Sequence, residues 1–414
     1  MIKGMNKKKR VIIIGGGAAG MTAAIFASRK GAEVIILEQL PKVGRKILAT
    51  GNGRCNLTNM DLDVSKYHGS NKKFAYGALA RFGYENTIEF FEDLGLDFVK
   101  EGSRIYPASL QASSVLDVLR YEMKRLGVDE VCDARVVGII KEESGFSISL
   151  KDDNKTYGDK VIVATGGKAN SGLGSNGSGY DLVKPFGHKI INPFPAIVQI
   201  RLEADYLKSI SGVKINANAS IELDGKVLME EYGEILFTSY GVSGPPVLQL
   251  SRSAGESVLK GKKPIFNIDL FPGNNDEELF QLLKKRCNLR PEKPLDFSFV
   301  GLINKRLINV LLREARITDI KKPCQKVTDE ELNRISNIMK KWSFKIIGTN
   351  SWSEAVVTAG GVDVRDIDSR TMESRLVPDL YFAGEIMDID GDCGGYNLQW
   401  AWSTGHLAGV NAAL

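Results

Sequence analysis

Gly15-Gly16-Gly17-Ala18-Ala19-Gly20 follows a β-branched run, Val11-Ile12-Ile13-Ile14, and opens an Ala-rich stretch with helical spacing. Gly15, Gly17 and Gly20 match G-x-G-x-x-G, a pattern in which bare backbone approaches a pyrophosphate. The helix start, at Ala18 and Ala19, adds free N–H groups and a partial positive charge. Glu38 stands 18 residues beyond Gly20, at the end of a second apolar run and just before Gln39. A carboxylate there accepts from ribose hydroxyls and disfavours a 2′-phosphate, so the expected ligand is of the FAD or NAD type rather than NADP. The glycines alone would also suit a tight structural turn. Strand, turn, helix and strand within about 30 residues favour the dinucleotide reading.

Three further segments bear on which dinucleotide. The first runs from Gly44 to Asn59 and is crowded with glycines, cations and short amides: Arg45, Lys46, Thr50, Gly51, Asn52, Gly53, Arg54, Cys55 and Asn56. A loop this polar is expected to contact a ligand. Within it, the Arg54 guanidinium is a candidate for holding an anionic substrate group or the reduced cofactor, with phosphate binding or loop bracing as the competing roles. The second is the strand-like run Lys160 to Ala164 entering Thr165-Gly166-Gly167. The third is the strand Leu380-Tyr381-Phe382 ending in Ala383-Gly384-Glu385, followed by Gly391 to Leu398, with Gly395, Tyr396 and Asn397, leading into the last helix. A helix N-terminus aimed at a flavin ring favours the negative charge of its reduced form. A nicotinamide dehydrogenase has no need of that closing element, so the expected cofactor is FAD, visited transiently by NAD(P)H. Tyr396 is a candidate for stacking or proton donation.

Other reactive residue types are sparse. Cys55 is a single thiol without the partner that disulfide reductases need, and packing is its expected role. His68, His188 and His406 lack the spacing of a metal site, and none is expected.

The elements that would position these residues are a βαβ unit at the start, helical spacing at 85–97 and 113–126, and paired strands at Arg135–Lys141 and Phe146–Lys151. Alternating strands occupy 197–203, 217–223 and 227–232, with Asp224-Gly225 turning the last two. Helical spacing at 276–287, 300–316 and 328–342 follows, and from Ser353 the pattern returns to strand, Gly-Gly, strand and helix. The first unit is thus built from both ends of the chain.

The chain has 414 residues with 43% apolar content, and 55 Lys and Arg against 50 Asp and Glu give a net charge of +5. The two signs are interspersed, so a small-molecule substrate and a nicotinamide donor are the expected partners, with no nucleic acid and no membrane. Oligomeric state is not legible. Five scattered cysteines suit a reducing cytoplasm. The opening Met1 to Arg10 and the apolar run after it have the charge pattern of a secretory leader, but the three glycines that follow favour strand, turn and helix.

Taken in order, GGGAAGMTAA, GRKILATGNGRCNLTN, VIVATGG, GEILFTSYGVSGPPVLQLSR, VTAGGVDV and LYFAGEIMDIDGDCGGYNLQWAWSTG closely resemble the YhiN/BaiN-like family of bacterial FAD-dependent flavoproteins. The resemblance spans nearly the whole chain. It implies an α/β fold with a discontinuous, doubly wound FAD-binding domain (1–193 and 346–414), an inserted β-barrel-like domain (194–272 and 317–345) and a small helical subdomain (273–316). It also implies that Val136 or Val137 meets the adenine and that Thr165 and Gly166 approach the FAD. Gly384, Glu385, Asn397 and Leu398 would line its ribityl and ring portions. The sequence departs from the pattern at Ser239, where many relatives carry a His. Relatives of this kind are connected with reduction of conjugated carbonyls in steroid-like compounds and with oxidation of small amines, and the reductase is the expected activity. The competing readings are an FAD oxidase that uses O2, a regulatory or RNA-associated protein with a structural flavin, and a plain NAD dehydrogenase.

Overall fold

The structure, a computed structural model, describes residues 8–414; the start of the leader-like stretch lies outside the described residues. Two compact units divide the chain: residues up to Phe194 together with Val356–Leu414, and Pro195–Ala355.

In the first unit the β-branched runs form a parallel sheet in the order Leu380–Phe382, Lys160–Val163, Arg10–Ile14, Glu33–Leu37, Asp129–Val131. Val11, Ile12 and Ile13 are fully buried, as expected of strands covered on both faces. The helix Ala18–Arg29 packs on this sheet and against the last helix, Tyr396–Ala412. Two glycines set how close these helices come. A Cβ at Gly405 would stand 2.5 Å from the Ala19 carbonyl oxygen, and one at Gly409 2.4 Å from that of Ala23. The C-terminal helix is thereby held beside the N-terminal dinucleotide motif. A three-stranded antiparallel sheet, Val136–Lys141, Phe146–Leu150 and Lys155–Gly158, completes the α/β layer.

The second unit contains a closed six-stranded barrel. Its hairpin, Lys214–Leu223 with Lys226–Thr238, turns at Asp224 and Gly225, both at positive φ (50° and 76°), which is the backbone that a two-residue hairpin loop requires. Phe237, Phe266, Trp342 and Phe344 are buried in the barrel's core. A second core, made by the helices Asp276–Leu289, Lys305–Glu314 and Asp329–Lys340, lies between two of its strands in sequence.

Three boundaries differ from expectation. The barrel strand Trp342–Thr349 runs past residue 346, and the chain re-enters the first unit at Val356. Residues 317–340 belong with the helical core rather than the barrel, because Leu332, Ile335 and Met339 pack there. The segment after Gly44 is not wholly irregular: Arg45–Ala49 is a short helix started by Gly44 in the left-handed region.

Candidate functional site

The strand Arg10–Ile14 delivers Gly15 at φ +101°, where a Cβ would collide with the Ala164 carbonyl oxygen at 2.5 Å. Two residues on, Gly17 caps the first helix with no side-chain hydrogen bond. A Cβ there would meet nothing within 4 Å. The first N–H groups of a helix lack intrahelical partners, so this turn presents donors and positive charge to open space. That space is a cleft partly open to solvent, the concave form that small-molecule sites usually take.

Glu38 is buried, with each oxygen engaged: Gly16 N–H donates to Oε2 at 2.8 Å and Leu40 N–H to Oε1 at 2.9 Å. A carboxylate has about four acceptor sites, so it retains capacity for hydroxyls. Beside it, Gln39 donates to the Gly174 carbonyl at 2.5 Å and accepts from Asn176 at 3.2 Å. Across the cavity Lys46 pairs with Glu385 at 2.7 Å, although 339 residues separate them. The other Glu385 oxygen accepts from Thr358 N–H at 2.6 Å. The last helix begins after Gly395, and its Asn397 is fixed by two bonds to Gly391, donating to the carbonyl at 2.7 Å and accepting from the N–H at 2.9 Å.

The cavity wall gathers Gly15, Gly17, Ala18, Ala19, Glu38, Gln39, Arg45, Lys46, Thr50, Val136, Thr165, Gly166, Gly384, Glu385, Asn397 and Leu398. The remaining sequence candidates lie outside that wall, for identifiable reasons. Gly20 is a packing glycine, since a Cβ would sit 2.0 Å from the Gly15 oxygen, and Gly167 similarly abuts the Thr358 side chain at 2.3 Å. Gly51 and Asn52, both at φ 56°, kink the loop, with Gly53 following at φ 82°. Arg54 pairs with Glu101 at 2.9 Å and lies 4.5 Å from the Tyr106 ring centroid. Cys55 is fully buried, and burial pushes its thiol up to about 12. Asn56 is buried against Gly395, where a Cβ would stand 2.8 Å from Asn56 Oδ1. Val137 points outward, 53% exposed, on the strand face opposite Val136.

Tyr396 also lies outside the wall. Its hydroxyl donates to the Asp61 carbonyl at 3.2 Å, and burial pushes it up to about 12. Leu173, Gly174 and Ser175 also line the cavity but were missed. The Gly- and Ser-rich run 171–179 after the Lys160 strand was the available signal. Ser239 is exposed at the tight barrel turn before Gly241.

Comparison with known proteins yields a family match over residues 9–411, to the model described as HI0933-like protein Rossmann domain. The chain belongs to that family. The HI0933-like chain is 40% identical over 397 residues to the 3-dehydro-bile acid delta(4,6)-reductase of Clostridium scindens, covering 95% of this chain and 97% of that one. It is 34% identical over 392 residues to the ribosomal RNA dihydrouridine synthase of Escherichia coli, covering 93% of each. The Haemophilus influenzae protein of the same name is 32% identical over 401 residues, covering 95% and 96%. The protein is an FAD-dependent oxidoreductase with a Rossmann-type fold.

The residues present fit FAD. The Cβ-free cradle at Gly17 suits the pyrophosphate, Glu38 the adenosine ribose, and the start of the last helix at Asn397 and Leu398 the far end of the cavity. Among the described residues no group of His, Cys, Asp and Glu is arranged to hold a metal, and no helix is long and apolar enough to cross a membrane.

Proposed function

We propose that this HI0933-like protein saturates a carbon–carbon double bond conjugated to a carbonyl, with NADH or NADPH as the electron donor. The observation that carries this reading is the agreement of two full-length relatives. The names of both describe such a reaction, on a 3-oxo-Δ4,6 bile acid in one and on the uracil ring in the other. FAD, when bound, supplies the hydride chemistry.

The chain's own residues bind and orient. Gly15 to Gly17 and the first helix hold the pyrophosphate, and Glu38 holds the ribose end. The Lys46–Glu385 pair ties the Gly44–Asn59 loop to the C-terminal segment, fixing the cavity wall between them. The last helix presents its positive end to the ring portion of the cavity, which favours negative charge there. Neither Cys55 nor Tyr396 suits proton exchange near neutral pH: one is a buried neutral thiol and the other a buried hydroxyl committed to a backbone carbonyl.

The test is anaerobic. The flavin is bleached with one equivalent of NADH or NADPH, and a conjugated enone, a saturated ketone or uridine is then added. Return of colour with the enone or uridine, accompanied by the saturated product, supports the proposal. Colour that returns only on admitting O2, with an amine as the better reductant, establishes the oxidase instead.

A further inference from the structure

Between the strand Lys160–Val163 and the helix Ser178–Val183 the chain runs along the cavity wall as a loop pinned near both ends. Lys168 N–H and Ala169 N–H donate to Thr358 Oγ1 at 2.7 and 2.9 Å, and Gly177 N–H donates to the Gly167 carbonyl at 3.0 Å. Residues 170–176 lie between these pins. Within them, Leu173 N–H donates to the Asn170 carbonyl and Gly174 N–H to that of Ser171. Among the described residues, their hydrogen bonds to anything outside 164–178 run to Gln39: its Nε2 donates to the Gly174 carbonyl at 2.5 Å, and its Oε1 accepts from Asn176 Nδ2 at 3.2 Å.

Gln39 directly follows Glu38, so these two bonds fasten the loop to the segment that carries the ribose acid. A Cβ at Gly174 would stand 3.0 Å from Leu40 Cδ1 and 3.8 Å from Glu38 Oε1. The bare glycine therefore lets the loop pass close to that acid. Leu173, Gly174 and Ser175 line the cavity, while Asn176 is exposed and lies outside its wall. Asn170 at φ 57° and Gly177 at φ 80° bracket the stretch, in a backbone region that Asn and Gly enter at little steric cost. A short loop held by two neutral hydrogen bonds belongs to the low-stability end of a fold, from which lids are drawn.

We infer that residues 170–176 are a strap which Gln39 fastens across the adenosine end of the cavity, and that the strap swings open for FAD to enter or leave. The inference rests on the reading that Glu38 holds the ribose. Gln39 acts in it as a positioning residue, with Asn170 and Gly177 as the hinges that absorb the backbone change. Both of its bonds join protein groups to each other, so loosening them should speed entry and exit alike. A residue that merely touches the cofactor would change its exit.

The experiment follows FAD uptake by the full-length apoprotein through flavin fluorescence after rapid mixing, and FAD release from the loaded protein by exchange with excess radiolabelled FAD. Gln39→Ala removes both bonds and should raise both rates about tenfold, as two neutral hydrogen bonds imply, while Kd stays within about threefold of wild type. Asn176→Asp keeps the acceptor that Ser178 N–H uses at 3.0 Å and loses the donor to Gln39. It should raise both rates about threefold, and because Asn176 lies outside the cavity wall that effect reports on the strap rather than on a cofactor contact. Unchanged rates in both variants overturn the inference. Faster release with unchanged uptake in Gln39→Ala also overturns it, since Gln39 is then a plain contact to the cofactor. Glu38→Gln, run in parallel, should weaken Kd by about tenfold or more. An unchanged Kd there, with both rates raised in Gln39→Ala, upholds the strap and overturns the ribose placement instead.

Discussion

Gly17→Val separates folding from cofactor binding. Gly17 has φ −82° and ψ −169°, extended backbone that a β-branched residue adopts readily. A Cβ there touches nothing within 4 Å. The valine therefore clashes with nothing in the apoprotein and costs it about 1 kcal/mol, the usual penalty for an apolar residue at a helix N-cap. Its two methyl groups instead project into the cavity where the pyrophosphate must come close. Holding an anion off by a methyl's width forfeits about two hydrogen bonds from the helix N-terminus, at ~1.5–3 kcal/mol each for a charged acceptor. FAD affinity should then fall by roughly 10²–10⁴-fold. The assay pairs thermal unfolding of apoprotein with FAD titration by flavin fluorescence. Near-wild-type affinity would refute the placement of the pyrophosphate. A large loss of apoprotein stability would refute the argument from open space. Gly20→Ala is the contrasting control: its Cβ would lie 2.0 Å from the Gly15 oxygen, so it should lower the melting temperature itself.

Three other substitutions follow from the same geometry. Lys46→Met leaves Glu385 without its cation in a partly buried site; it should weaken FAD binding, and a double-mutant cycle with Glu385→Gln should give a coupling above about 0.5 kcal/mol, since contacting pairs typically do. Cys55→Ala should leave enone reduction within a few-fold of wild type, and the native thiol should resist alkylation at pH 8; a hundredfold rate loss would restore Cys55 to the chemistry. His406 packs between Phe26 and Phe82, and burial, followed by Lys30, lowers its pKa from 6.5 to about 4. Its folded pKa is depressed, so the unfolded chain takes up the proton first. Stability should therefore fall as pH drops from about 6.5 to 4, and denaturant melts of His406→Phe should show a flatter profile over that window.

Much of the fold could be read because its signals are local. The βαβ unit, Glu38 and the Asp224-Gly225 hairpin each depend on residues a few positions apart, and the structure places them as their spacing implied. The barrel strand Trp342–Thr349 carried a period-two signal as well, with Trp342, Phe344 and Ile346 buried and Ser343, Lys345 and Ile347 exposed. It was obscured because the preceding helical spacing was carried through to 342. The Lys46–Glu385 pair and the packing of Gly395 against Asn56 bring together residues more than 300 positions apart, and no local pattern encodes them. Arg54 shows the converse limit. Its residue type suggested chemistry, but its direction was decided by Glu101 and Tyr106, which belong to a neighbouring hairpin.

The central claim is that residues near Gly17 and near Asn397 close on one FAD. Equilibrium titration of apoprotein with FAD, followed by visible absorbance and scored for stoichiometry, tests it most directly. One FAD per chain with a protein-perturbed flavin band, not displaced by NADP, is the predicted result. A protein that stays colourless after exposure to excess FAD would contradict it.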